Sequence, residues 1–273
     1  MTEQQINKTN ITNSIPTNAI PVQPPLKHKK PKFRTRFVRF VRNFFIFFFI
    51  ISLGWVVLAR FIPVFVTPLI LIRSVESISQ GKFPKISKSW VSIEDISPNM
   101  VQSVVASEDN LFLSHHGFSF NDINRAIIHN QRGKRIRGGS TISQQTAKNV
   151  FLWPQRSYLR KGLEAYFTVL IEFIWTKERI MEVYLNVIEM GDGIYGVQAA
   201  SEEYFGENAS ELSRTQAARI AACLPNPRRF NAAHPSGYIA RRKSQIVSLM
   251  GKLPPVDFDH PIPVKQSRKH KKR

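Results

Sequence analysis

The hydrophobic pattern divides the chain sharply. Residues 44–59 read FFIFFFIISLGWVVLA without a charge. Continuing through Arg60 to Pro63 makes 20 residues, about 30 Å of helix and enough to cross a bilayer. The segment has almost no polar face, which argues against a buried core helix and predicts a lipid-facing one. Arg60 lies near its end, where a long side chain reaches the interface. A second apolar run, Phe61 to Ile72, either extends this helix or lies in the interface. From about 75 to 250 helical periodicity dominates: helices are predicted over 118–131, 158–190 and 211–224, and no series of alternating strands appears. The expected fold class is mainly α with one N-terminal transmembrane helix.

Composition narrows the class. The chain has 273 residues, 42% apolar and 21% charged, which excludes a wholly disordered chain and a multispanning transporter. The single cysteine, Cys223, excludes an intrachain disulfide and a multi-thiolate metal site. Net charge is +20, unevenly spread: residues 1–42 hold nine Lys or Arg against Glu3, and the last nine hold six without an acid. The basic run from Lys27 to Arg42, just ahead of the apolar span, favours retention of the N-terminus in the cytoplasm and places the body outside. A cleavable signal peptide is the competing reading; the charged leader is long for one and no small-x-small pattern follows Ala59. The expected organisation is a basic tail (1–43), an anchor (44–63), a membrane-proximal segment (64–89), a catalytic domain (90–253) and a Pro-containing basic tail (254–273).

Candidate chemistry gathers in three clusters. Ser97-Pro98 opens a helix with an N-cap and a first-turn proline. Its apolar stripe, Val101, Val104 and Val105, continues to Glu108 and then Phe112. A carboxylate in an apolar stripe is desolvated, which raises its pKa toward the range useful for taking a proton near neutrality; a helix-end glutamate turned to water is the plain alternative. Asp109, His115 and Gly117 follow within ten residues, with Asp109 pointing elsewhere to cap or orient.

The second cluster, Arg137 to Asn149, contains Gly138, Gly139, Ser140, Thr141, Gln145 and Lys148: glycines for close approach, neutral donors and one point charge, suited to a phosphate or a sugar. It has neither P-loop nor dinucleotide-binding spacing. The third, Arg160, Lys161 and Glu164, opens a helix whose apolar face is Leu163, Phe167, Leu170, Ile171 and Ile174. Glu164 flanks that face, and an ordinary i, i+4 pair with Arg160 is the plain reading. Tyr184 to Gly196, a glycine-rich helix end, reads as architectural.

Taken in order, Glu108–Gly117, Gly138–Asn149, Arg160–Glu164 and Tyr184–Gly196 resemble the motifs of the family 51 glycosyltransferases, the peptidoglycan glycosyltransferases, over about residues 90–230. The single anchor and short length resemble the monofunctional biosynthetic transglycosylases of that family. No Lys-Thr-Gly triad occurs, and Ser79–Lys82 is an isolated S-x-x-K without room for a transpeptidase domain.

The resemblance implies a lysozyme-like helical fold that polymerises lipid II into β-1,4-linked strands at the outer face of the cytoplasmic membrane, with inversion and release of polyprenyl pyrophosphate. By motif, Glu108 is the general base and Glu164 the second glutamate, assisting or positioning the pyrophosphate. Lys148 and Arg160 match basic residues near the donor phosphates. Asp109, His115, Ser140, Thr141 and Gln145 match polar site positions. No cofactor is obligatory, though a divalent cation such as Mg fits the implied chemistry at the pyrophosphate. Expected partners are lipid II, the growing strand, the bilayer and other cell-wall synthesis proteins. Ser143 stands where many relatives have Thr, and Glu189 where bifunctional members are often aromatic.

Two other readings stand beside this one: a lysozyme-like glycan-cleaving enzyme and a non-catalytic membrane-tethered scaffold. Nucleic acid is excluded as a partner, because the densest basic run flanks the membrane span and no binding module appears.

Overall fold

The computed structural model describes residues 33–119 and 139–261. The expected helix over 118–131, Gly138, and the two terminal tails therefore lie wholly or mostly outside the described residues. The chain clusters into two compact units, residues 1–48 and 49–273, whose boundary falls within the first helix. The described part of the first unit is helical throughout.

That helix, α1 (Phe33–Phe61), has 29 residues. It is long and apolar enough to cross a membrane. It stops at Phe61, short of Pro63, and a non-helical stretch separates it from α2 (Pro68–Ser79), so the second apolar run is a separate element rather than an extension. Thr67 caps α2 and Pro68 occupies its first turn. Most of α1 is exposed, but Ser52, Val56 and Ala59 are buried and share one face at helical spacing. Along this face, side chains of the domain reach the backbone of α1. Trp175 Nε1 donates to Val56 O (2.8 Å), and Arg179 Nη2 donates to Ala59 O (2.9 Å) and Ile62 O (2.6 Å). Arg60, expected to reach for the interface, is exposed and donates to Ile174 O (2.7 Å). The final turns of the apolar helix are thus bonded into the domain.

The other α-helices among the described residues are α3 (Pro98–Glu108), α4 (Ile142–Phe151), α5 (Tyr158–Ile174), α6 (Lys177–Val187), α7 (Val197–Phe205), α8 (Arg214–Cys223) and α9 (Gly237–Met250). The expected single helix over 158–190 is two: α5 ends at Ile174, and Thr176 starts α6 by accepting from Arg179 N. An N-cap residue in extended conformation breaks a pattern whose apolar periodicity runs through it. The helix expected over 211–224 is α8, capped by a reciprocal Ser213–Gln216 box.

Two helix groups share one core. The helices α3, α8 and α9 pack together, and α4 packs on α5 and α6. The small residues Ala217, Ala218, Ala221 and Ala222 of α8 are fully buried and permit its close packing. Cys223 is buried beside them, and burial pushes its thiol up to about 11, so it stays protonated and packs as a small apolar group.

Three short strands, β1 (Ser87–Lys88), β2 (Glu189–Gly191) and β3 (Ile194–Tyr195), form a sheet ordered β1-β3-β2, with β1 parallel and β2 antiparallel to β3. The glycine-rich stretch after α6 is this hairpin. Gly193 has φ +73, and a Cβ there would lie 2.4 Å from Lys85 O, so only glycine allows β1 to approach. Buried Asn186 accepts from Val91 N (3.0 Å) and donates to Val91 O (2.8 Å), pinning this edge to the segment before α3.

After α9 the chain keeps packing. Gln102 donates to Pro254 O (3.0 Å) and accepts from Val256 N (2.9 Å), and Leu253, Val256 and Phe258 rest on the core. Packing therefore continues past the expected boundary at 254.

Candidate active site

Ser97 caps α3 as expected, accepting from Asn99 N, with Pro98 in the first turn. Val101, Val104, Val105 and Phe112 are buried along the expected stripe. Glu108 is the last residue of α3, and its side chain is 16% exposed. It is sheltered yet reachable. Burial pushes its carboxyl above the usual range, and neighbouring Asp109 adds to this; a hydrogen bond from Gln145 and the charges of Arg242 and Lys148 act against it. Gln145 Nε2 donates to Glu108 Oε2 at 3.2 Å, and Arg242 Nη2 stands 3.9 Å from Oε1.

Adjacent Asp109 faces the other way, into the protein. Its carboxylate accepts from Ile142 N (3.0 Å) at the start of α4 and from His115 Nε2 (2.9 Å). A carboxylate at a helix N-terminus meets unpaired N–H groups and the positive end of the helix dipole. Asp109 therefore ties the segment after α3 to the start of α4, and His115 locks that tie. Thr141 completes it: its hydroxyl donates to Gly117 O (2.7 Å) and it forms a capping box with Gln144. Asp109, His115 and Thr141 are thus engaged in bonds that tie these segments together, whereas Glu108 bonds to Gln145, which lines a cavity. Ser140 is half-buried two residues ahead of α4.

Lys148, one turn beyond Gln145, extends the site. Burial lowers its pKa, Glu164 opposes this, and Arg160, Lys161 and Arg156 reinforce it. Lys148 is within electrostatic reach of both glutamates, since its charge also acts on Glu108. Arg160 Nη1 donates to Glu164 Oε2 (2.7 Å), and Lys161 holds Oε1. The plain i, i+4 pair read from sequence is formed, and both of its members are buried. The result is a cationic cluster around one sequestered carboxylate. Arg160 Nε and Arg242 Nε are buried donors without a partner among the described residues.

A cavity of about 280 Å³ opens beside Gln145, Lys148 and Asn149, with Arg73 of α2 and Glu189 on its other walls. Burial pushes the Glu189 carboxyl up, against the pull of Arg73. Sequence reasoning missed Arg73 and Arg242. No short motif marks either one, and both reach the site from helices distant in the chain from the three clusters.

The family model described as Transglycosylase matches residues 76–251, more than half of the chain. A relative from Bacteroides thetaiotaomicron named biosynthetic peptidoglycan transglycosylase is 53% identical over 87% of this chain and 97% of its own length. Relatives with the same name from Bdellovibrio bacteriovorus (56% identical; 74% of this chain, 80% of theirs) and Caulobacter vibrioides (49%; 79% and 94%) agree. The chain belongs to the transglycosylase family. In this transglycosylase the matched region contains every site residue named above except Arg73, and it extends beyond 90–230 at both ends. Its α3, α4, α5 and α9 supply the site from both groups of the helical core.

Proposed function

We propose that the protein builds peptidoglycan by polymerising lipid II into β-1,4-linked glycan strands, with Glu108 as the general base. The enzyme is a peptidoglycan glycosyltransferase of cell-wall biosynthesis, and a cell-wall glycan is its substrate. The observation that carries the mechanism is the contrast at the end of α3: Glu108 is sheltered, raised in pKa and hydrogen-bonded to Gln145, which lines a cavity together with Lys148. An alcohol is a poor nucleophile at neutral pH and needs a positioned base. Glu108 takes the proton of the acceptor 4-hydroxyl as that oxygen forms the bond to the donor's anomeric carbon. The bond to the lipid pyrophosphate breaks on the opposite face, inverting the centre.

Pyrophosphate leaves readily when its charge is neutralised in a partly desolvated groove. Lys148, Arg160 and Arg242 supply that charge. Arg160 and Arg242 each keep a buried Nε free to donate. The carboxylate of Glu164 fixes the Arg160 and Lys161 head groups, so it acts on the leaving group by positioning cations. Among the described residues no group of three or more His, Cys, Asp or Glu side chains is placed to hold a divalent cation, and the Glu164 carboxylate is paired with Arg160 and Lys161. We route no step through a metal.

The apolar part of α1 anchors the enzyme in the bacterial cytoplasmic membrane, with the N-terminus inside and the domain on the periplasmic side. The polarity of flanking charge supports this orientation. Exposed Phe61, Phe65, Val66, Leu71, Val75 and Ile78 extend an apolar surface over the segment after the anchor and along α2. Such a surface suits the interface in which lipid-linked substrates diffuse. Tethering confines the search to that plane.

The test is to supply detergent-solubilised enzyme with labelled lipid II, size the products and digest them with a β-1,4-specific muramidase. Muramidase-sensitive polymer supports the reading. Release of fragments from finished glycan, without polymer, would establish the hydrolytic alternative. Binding of lipid II without turnover would establish the scaffold.

A further inference from the structure

Tyr184 lies in a stretch that reads as architecture from sequence, yet its hydroxyl reaches the site. The side chain is fully buried in α6, and Tyr184 Oη donates to Gln145 Oε1 at 3.4 Å. The same amide turns its Nε2 to Glu108 Oε2 at 3.2 Å. An amide end that donates and one that accepts are nearly identical in shape, so only their partners determine which faces the base. We infer that Tyr184 is a positioning residue for catalysis: its hydroxyl fixes the Gln145 amide so that a donor always faces Glu108.

Three observations support a one-way chain of donors. Burial holds the phenol well above its ordinary pKa, with Glu108 and Asp109 adding to the effect, so it remains a hydroxyl that can donate. Gln145 Oε1 cannot donate, and so it must accept. Glu108 as an ionised carboxylate can only accept, which suits Nε2 and excludes Oε1. If the amide reversed, Oε1 would confront a carboxylate oxygen, and only the protonated acid would satisfy that contact. The orientation therefore favours the ionised base and counters the burial that favours the acid.

The other charged groups facing Glu108 are Arg242 from α9, Lys148 from α4 and Asp109 beside it. None of them turns the amide. Arg242, at 3.9 Å from Oε1, acts on the opposite oxygen.

The inference rests on Glu108 being the general base, and the experiment keeps the two separable. The pH profile of kcat/KM for polymerisation is measured for the wild type, Tyr184→Phe, Gln145→Met and the double variant, with Glu108→Gln alongside. Loss of an oriented donor raises the pKa of the base, so the acidic limb should move to higher pH by on the order of one unit in Tyr184→Phe. Gln145→Met should move the limb in the same direction, and Tyr184→Phe should add nothing in the double variant, because the hydroxyl acts only through the amide. An unmoved limb, a uniform loss at every pH, or additive shifts would overturn the proposal.

Should Tyr184→Phe fail to fold, a ring-fluorinated tyrosine at 184 keeps the shape and strengthens the donor, and the limb should then move down. A limb that stays or rises with that residue overturns the inference. Retained polymerisation in Glu108→Gln would instead remove the base assignment, whatever the Tyr184 variants do.

Discussion

The Arg160–Glu164 pair offers a way to separate what the site costs in stability from what it does. Both side chains are nearly buried, and Lys161, the other partner of Glu164, is about half exposed. Arg160→Met keeps the length of the stem but leaves Glu164 buried with one solvent-screened partner. Breaking a buried pair costs about 3–5 kcal/mol, and the remaining lysine places this case near the lower figure. For a folded body of roughly 200 residues that is a fall in Tm of about 6–12 °C. Replacing both members, Arg160→Met with Glu164→Met, removes the stranded charge and should recover most of that loss, since apolar isosteres of buried pairs are often neutral.

Polymerisation should not recover with it, because the cation near Lys148 is gone. The assay is paired: thermal unfolding in detergent by circular dichroism, and initial rates on lipid II. A double variant no more stable than Arg160→Met would refute the energetic reasoning. A double variant with restored rates would refute the role given to Arg160.

Further outcomes follow from other parts of the molecule. The raised pKa of Glu108 means that the native state holds this proton more tightly than the unfolded chain, so its contribution to stability falls as pH rises from the unfolded pKa through the folded one. Glu108→Gln should therefore unfold at a higher temperature than the wild type at pH 7, with the gap closing below about pH 4; a variant no more stable at pH 7 would contradict this. Gly191→Ala would place a Cβ 2.0 Å from the Tyr204 hydroxyl and 2.7 Å from Ile194 Cδ1, and should cost about 1–3 kcal/mol in denaturant unfolding. Tyr204→Phe should relieve part of that loss. Trp175→Phe removes the bond to Val56 O and should cost about 1 kcal/mol. Hydrogen exchange should then quicken in the last turns of α1, whereas unchanged exchange there would mean that those turns do not depend on the bond.

The legible parts of this structure were those written locally. Ser97-Pro98 announced α3, the Val101–Val104–Val105 stripe carried Glu108 to its place, and the i, i+4 spacing of Arg160 and Glu164 gave their pairing. The division of residues 158–190 into α5 and α6 was hidden, because apolar periodicity continues across Trp175 while the break depends on the cap at Thr176. The burial of Ser52, Val56 and Ala59 was also hidden. A stripe of small residues in an all-apolar helix looks the same whether it faces lipid or protein, and only the side chains of Trp175 and Arg179, more than a hundred residues away, decide it. Arg242 and the Tyr184 hydroxyl escaped for the same reason: each reaches Glu108 or its neighbour by tertiary packing, which no spacing rule encodes.

The central claim, that Glu108 removes the acceptor proton, is tested most directly by single-turnover kinetics on labelled lipid II with Glu108→Gln against the wild type. The amide keeps the shape and the contacts to Gln145 and Arg242 in outline but cannot take the proton, so the bond-forming rate should fall by about two to four orders of magnitude while lipid II binding persists. A bond-forming rate within a few-fold of the wild type would contradict the account.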